Sequence, residues 1–213
     1  MESKKGILLV ISGFSGAGKG TIVKELLKNY DNYALSISMT TRGPREGERD
    51  GVEYFFVDRE KFEKTIAENG LIEYATYCGN YYGTPRAFVE GQLQAGKDVI
   101  LEIEIQGALQ IKEKFPESLL LFITPPNAPE LRNRLEKRGT ETKEVIAQRL
   151  SRACEESKGM DAYDYIVVND DLDQCVKELH AMIEAARNEP VRRKEFISRI
   201  QKELEAFRLE TNN

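Results

Sequence analysis

The chain has 213 residues, 40% hydrophobic and 31% charged, with a formal net charge of −5, which suits one α/β unit whose core stands without disulfides or metals. The acidic balance argues against a general affinity for nucleic acid. Three widely spaced cysteines (Cys78, Cys154, Cys175) without a CxxC pair suit a reducing compartment, and a single histidine, His180, argues against a zinc site or a histidine general base.

Met1–Lys5 is short and polar, and the apolar run that follows is too short to span a bilayer and lacks the layout of a signal peptide. A cytoplasmic protein without a membrane partner is expected. Ile7–Ile11 reads as a buried parallel strand, the glycine-rich stretch Gly13–Gly20 as a loop, and Thr21–Tyr30 as a helix. Tyr33–Ser38 is expected as a strand, Met39–Gly51 as a polar loop, and Glu53–Val57 and Leu71–Tyr77 as strands. Between the last two, Arg59–Asn69 has helical character, with Gly70 as its C-cap. Pro85–Ala95 fits a helix with proline near its first turn. Asp98–Ile103 and Ser118–Thr124 read as buried strands flanking a helix over Gly107–Lys114. Helices over Ala128–Lys137 and Lys143–Lys158, a strand over Tyr165–Asn169 and a helix over Leu172–Arg187 follow. The charged stretch from Glu189 still carries apolar residues at helical spacing, which suits a helix. The alternation implies a P-loop type of α/β fold, a parallel sheet with helices on both faces.

Gly13-Phe14-Ser15-Gly16-Ala17-Gly18-Lys19-Gly20-Thr21 carries a GxxxxGK core between a strand and a helix, the context in which that pattern cradles phosphates. Its glycines let backbone N–H groups turn inward, and the helix start adds a positive end. Lys19 is placed to reach the β- and γ-phosphates. Gly20 stands where a hydroxyl is usual, so Thr21 is expected to order phosphate or the Mg²⁺ hydration shell. Glu102 and Glu104, read on one face at the end of a strand, would hold Mg²⁺ through water or accept hydrogen bonds from a nucleotide; a strand end emerging into solvent is the plainer alternative.

In the loop that follows the second strand, Arg42 and Arg45 flank a Gly-Pro turn, and paired guanidinium groups suit a phosphate. Tyr54 and Tyr82 can add phenolic hydroxyls to the same anion.

The order TTRxPRxGE (Thr40–Glu48), with Gly79–Thr84, Glu102–Gly107, Arg138–Thr142 and Ile166–Asp170, resembles the guanylate kinase family over residues 6–187. The resemblance implies transfer of a phosphoryl group from ATP to GMP with Mg²⁺, and no nucleic acid partner. It assigns Gly13, Ser15, Gly16, Ala17, Gly18, Lys19, Gly20, Thr21 and Asn169 to ATP, with Asn169 toward adenine. Arg42, Arg45, Tyr54 and Tyr82 would hold the GMP phosphate, with Glu48 in the same segment, while Ser38, Glu73, Thr84 and Glu102 would read guanine. Lys19, Arg134, Arg138 and Arg149 would be catalytic. It also implies a core made of residues 1–35, 91–127 and 160–190, an acceptor subdomain over 36–90, a lid over 128–159 and a helical tail over 191–213. Phe14 departs from an expected proline and Glu104 from an expected aspartate. An adenylate kinase, or a scaffold module of the same fold without chemistry, remain the rival readings.

Overall fold

The computed structural model describes residues 5–77, 79–137 and 142–210. The first apolar run forms β1 (Leu8–Gly13) and passes through the glycine loop into α1 (Lys19–Asn29) and β2 (Tyr33–Leu35). A second group follows: β3 (Met39–Thr40), β4 (Phe55–Phe56), α2 (Arg59–Ala67), β5 (Leu71–Tyr77) and β6 (Asn80–Pro85). Then come α3 (Arg86–Gln94), β7 (Asp98–Glu102), α4 (Ile105–Lys114), β8 (Leu119–Thr124), α5 (Ala128–Lys137), α6 (Lys143–Ser157), β9 (Tyr165–Val168), α7 (Leu172–Ala186) and α8 (Lys194–Glu210). No helix among the described residues is long and apolar enough to cross a membrane.

The main sheet has the order β2-β7-β1-β8-β9, with every neighbouring pair parallel. From β1 the chain crosses one way to β2, whereas from β7 it crosses the other way to β8. Right-handed crossovers therefore put α1 and α4 on opposite faces, and α7 packs beside α1. Both faces of the central strands β7, β1 and β8 are thus covered, which is why they read as continuous apolar runs: Leu9, Val10, Ile11 and Leu120–Ile123 are fully buried, whereas Ile166 and Val168 on the edge strand β9 are exposed. A smaller sheet, β4-β3-β6-β5, begins shortly after the C-terminal end of β2, and its β5 packs against α4.

Asp98 ties the lower end together. It is fully buried and accepts from the Ile7 backbone at 2.8 Å, from Asn32 Nδ2 at 3.0 Å and from the Arg187 guanidinium. Replacing Asp98 by Ala strands the half-buried Arg187 charge and should cost about 3–5 kcal/mol in a urea denaturation series.

Several boundaries differ from the sequence expectation. The β2 strand ends at Leu35 rather than Ser38, because the chain turns away to begin the small sheet with β3. Gly70 is not the left-handed residue that ends α2; Asn69 is, at φ 55°, and asparagine tolerates that region. Gly70 is needed for closeness instead, since a Cβ there would meet Thr65 Cγ2 at 2.8 Å. The β7 strand stops at Glu102, and Glu104 is the N-cap of α4 in an extended conformation, so the two carboxylates are not strand neighbours on one face. His180 is half-buried, stacked on Tyr30 at 3.7 Å and hydrogen-bonded to the Tyr33 hydroxyl at 2.7 Å, in keeping with an ordinary helix residue.

Candidate active site

The loop after β1 encloses a cavity of about 550 Å³ lined by Phe14, Ser15, Gly16, Gly18, Lys19, Gly20, Thr21, Lys24 and Glu102. Two of its glycines are dictated by geometry. Gly13 has φ 150°, and a Cβ there would lie 2.1 Å from the Ile123 carbonyl oxygen; Gly18 has φ 94°, and its Cβ would lie 2.4 Å from Asn169 Nδ2. Gly18 is also the N-cap of α1 and offers no side-chain cap, so the first N–H groups of that helix are left for an anion. Phe14 does more than fill a backbone position: its buried ring meets Phe122 edge-on at 5.0 Å and pins the loop to β8.

Lys19 folds back over the loop, its Nζ donating to the Gly13 carbonyl at 2.6 Å and reaching that of Phe14 at 3.4 Å. Asn169, buried at the end of β9, donates from Nδ2 to the Ala17 carbonyl at 2.8 Å. This strut between residues 152 apart in sequence is invisible to motif reading. Arg149 on α6 reaches Ser15 Oγ at 2.5 Å. Arg134 on α5 is held differently, donating to Glu130 at 2.8 Å and to the Asn169 carbonyl at 2.9 Å. Arg138 lies outside the described residues, as does Cys78.

Glu102 opens onto the cavity, yet the surrounding protein desolvates its carboxylate and raises its pKa; Lys19 opposes the rise and Glu104 adds to it. Glu104 itself faces Arg152 on α6, accepting at 2.9 Å. Thr21 is exposed in the same cavity. Among the described residues no group of three Asp, Glu, His or Cys side chains converges as a metal cage.

The small sheet carries the second half of the site. Thr40 and Thr41 lock β3 to β6: Thr40 Oγ1 donates to the Tyr81 carbonyl at 2.9 Å, and Thr41 Oγ1 accepts from the Tyr81 N–H at 2.9 Å. Arg42 follows at once, its N–H donating to Thr40 Oγ1 at 3.1 Å. Glu48 braces the turn, with one oxygen accepting from Arg42 Nη2 at 2.9 Å and the other from the Arg45 backbone N–H at 2.7 Å. Those two bonds hold the Glu48 carboxyl below its usual range. The Arg42 guanidinium sits 5.3 Å from the centre of the Tyr54 ring and is hydrogen-bonded by Tyr82, and the two tyrosine rings lie 6.0 Å apart. Arg45 is exposed on the same turn. Burial raises the pKa of Tyr54, and the charge of Glu102 contributes, so the arginine–tyrosine cluster lies within electrostatic reach of the phosphate cavity.

Glu73 on β5 pairs in register with Thr84 on β6, whose hydroxyl donates to Glu73 Oε1 at 2.6 Å. The carboxylate is 4% exposed. Burial raises its pKa, with Thr84 and Lys114 opposing. A Cβ on Gly107 would lie 3.1 Å from Glu73 Oε2, a tight contact, so glycine there eases the close approach of the first turn of α4 to this carboxylate. Ser38 is half-buried just before β3, and its carbonyl accepts from the Phe55 N–H at 2.9 Å. The structure thus holds a glycine loop with main-chain donors at the start of α1, a guanidinium–phenol cluster around Arg42 and a buried carboxylate at Glu73.

The comparisons with known proteins point the same way. The guanylate kinase family model matches residues 5–186. A guanylate kinase of Bacillus anthracis is 53% identical over 184 residues, covering 86% of this chain and 90% of the relative. One from Desulfitobacterium hafniense is 49% identical over 197 residues, covering 92% of this chain and 98% of the relative. The crystal structure of guanylate kinase from Anaplasma phagocytophilum superposes with a TM-score of 0.72 at 34% identity, covering 89% of this chain and 90% of that one. With its sheet order, its phosphate loop and these relatives in agreement, the chain belongs to the guanylate kinase family and is an enzyme of that kind.

Proposed function

We propose that the chain transfers the γ-phosphoryl group of ATP to the phosphate of GMP, giving ADP and GDP, in the cytoplasm. The observation that carries this is Glu73: a carboxylate almost wholly buried, set by Thr84 on the same small sheet that bears the Arg42–Tyr54–Tyr82 clamp. Guanine presents two adjacent donors, N1–H and N2–H, that one carboxylate accepts together, whereas adenine presents a lone pair at N1. Thr84, Ser38 and Glu102 complete the base-reading set in this proposal. Arg42, Arg45, Tyr54 and Tyr82 bind the acceptor phosphate, and Glu48 aims the two arginines.

The donor side follows from the phosphate cradle. Gly13, Ser15, Gly16, Ala17, Gly18, Gly20 and Thr21 wrap the ATP phosphates, and Lys19 swings from its carbonyl partners to the β- and γ-phosphates. Arg149 and Arg138 meet the charge that spreads over the γ-phosphoryl oxygens in flight. Arg134 acts from one step back: anchored to Glu130 and to the Asn169 carbonyl, it sets the strut that shapes the loop, and Asn169 borders the adenine side. No strong general base is required, because the attacking atom is already an anionic phosphate oxygen. Mg²⁺ carried in with ATP would supply charge neutralisation for the transfer. Thr21, with Glu102 through water, fits such an ion, which typically takes one or two protein oxygens beside phosphates and water. Glu104 is drawn off toward Arg152 and is left out of that set. In this reading residues 36–90 serve as the acceptor subdomain, 128–159 as the lid that excludes water from the transfer, 1–35, 91–127 and 160–190 as the core and 191–213 as the tail, with 1–4, 78, 138–141 and 211–213 outside the described residues.

A coupled assay offering GMP, AMP, UMP and dTMP in turn tests the reading. GMP should be preferred in kcat/KM by about 10³-fold or more, because the wrong base leaves Glu73 unpaired in a buried site. Preferred turnover of AMP would overturn the assignment, and absence of MgATP binding in a calorimetric titration would favour a scaffold module.

A further inference from the structure

The last helix, α8, is unlike the others. Its chief contact is the short 3₁₀ turn Pro190–Arg192 just before it. Among the described residues it contributes nothing to the core or to the layer packed against the core. It nevertheless carries large apolar side chains on one side, with Phe196 44%, Ile200 36%, Leu204 62% and Phe207 63% exposed. The spacing of Ile197, Ile200, Leu204 and Phe207, with steps of three, four and three, is that of the a and d positions of a coiled-coil seam. A surface helix packed on its own body shows a wider stripe facing that body, and helices in proteins draw most of their stability from packing such an apolar face.

We propose that α8 is a self-association surface, and that its occupant is the α8 of a second copy of this chain, running parallel. The charges beside the seam choose both partner and direction. Four basic residues (Lys194, Arg199, Lys202, Arg208) balance four acidic ones (Glu195, Glu203, Glu205, Glu210), so the helix has no net charge to draw it to an anionic lipid surface. In a parallel pair, Glu203 in a g position faces Arg208 in the e position of the other copy, and symmetry makes this attraction twice over. In an antiparallel pair sharing the same core layers, Glu203 would face Glu203, and Lys194 would face Arg208. The parallel arrangement pairs opposite charges where the reverse one pairs like charges. It also places the two catalytic bodies at the same end of the seam, each with its own complete site.

Sedimentation equilibrium of the full chain provides the test. The wild type should show a reversible dimer, twice the 24.2 kDa of one chain. Leu204→Glu should return it to the monomer. Glu203→Lys and Arg208→Glu should each weaken the dimer about tenfold, and the double exchange should recover most of that loss. Turnover per chain serves as the folding control and should stay at the wild-type level in all four variants, since α8 lies outside the proposed catalytic and binding set. A wild type that is monomeric at its highest soluble concentration, a dimer that survives Leu204→Glu, charge exchanges that fail to compensate, or binding of the monomer to anionic vesicles through this helix would each overturn the proposal.

Discussion

Replacing Glu73 by Gln is expected to lower kcat/KM for GMP by about 10³–10⁵-fold, the range for losing a buried polar match to a substrate, while raising the melting temperature of the unliganded protein. The two effects share one cause. Glu73 is held in a site where burial works against its charge, and the Thr84 hydroxyl, the charge of Lys114 and the Thr84 backbone favour the ionised form. Gln keeps the oxygen that accepts from Thr84, but it turns an amide NH₂ toward the donors of guanine, so donor meets donor. In the empty protein the same change removes a desolvated charge. The folded carboxyl titrates above its unfolded value, so between the two the folded state binds more protons. Stability from this group is therefore greatest below the unfolded pKa and is lost as pH rises through the folded one. As pH rises through the folded value the wild type takes on that destabilisation, and the Gln variant does not. Calorimetric melting across about pH 4–8 should show the variant above the wild type at neutral pH, with the gap closing in acid. Added GMP should raise the wild-type transition and leave that of the variant in place. A variant that melts lower at neutral pH, or that gains as much from GMP as the wild type, would show that Glu73 is not the guanine reader.

The centre of the main sheet was readable because its strands are buried on both faces: runs such as Leu119–Thr124 have no polar alternation to confuse with a helix, and Gly13 ends β1 as Pro125 ends β8. The phosphate loop was readable for a similar reason, since Gly13 and Gly18 sit where a side chain would strike Ile123 or Asn169. The small sheet was harder. Two of its strands are two residues long, too short for any periodicity. The β6 strand, Asn-Tyr-Tyr-Gly-Thr-Pro, matches no element expected from the sequence, since glycine and proline are sparse in strands; Gly83 is there because a Cβ would crowd Leu71, Phe62 and the Glu73 carbonyl. The residues that would touch ligand could be named from motifs, but those that hold them could not. Asn169 reaches Ala17, Arg152 reaches Glu104, and Arg134 reaches the Asn169 carbonyl, each across a gap in sequence that only the fold closes. Glu48 shows the intermediate case: it was grouped with the acceptor loop, and its two oxygens turn out to hold the Arg42 side chain and the Arg45 backbone.

Lys19→Met should reduce kcat by about 10²–10³-fold, the scale for removing one positioned donor from a developing anionic charge. Met keeps the aliphatic stem beside the loop and removes the ammonium, so the variant should fold as the wild type does. The charge has a second task that makes the prediction sharper. Lys19 is the group that holds down the pKa of Glu102, against burial and against Glu104. Without it the Glu102 carboxyl must titrate higher, so the pH below which MgATP affinity falls should move upward in Lys19→Met. Adding Glu102→Gln should abolish that shift, because the titrating group is then gone. Lys19→Arg keeps the charge and should leave Glu102 near its wild-type behaviour, but a planar fork cannot replace a compact ammonium in a cradle built from main-chain groups, so turnover should remain low. A pH profile restored by Arg without restored turnover would separate the electrostatic role of Lys19 from its role at the γ-phosphoryl. Full activity in Lys19→Arg would mean that net charge alone suffices, and that the geometry of the loop does not select the lysine.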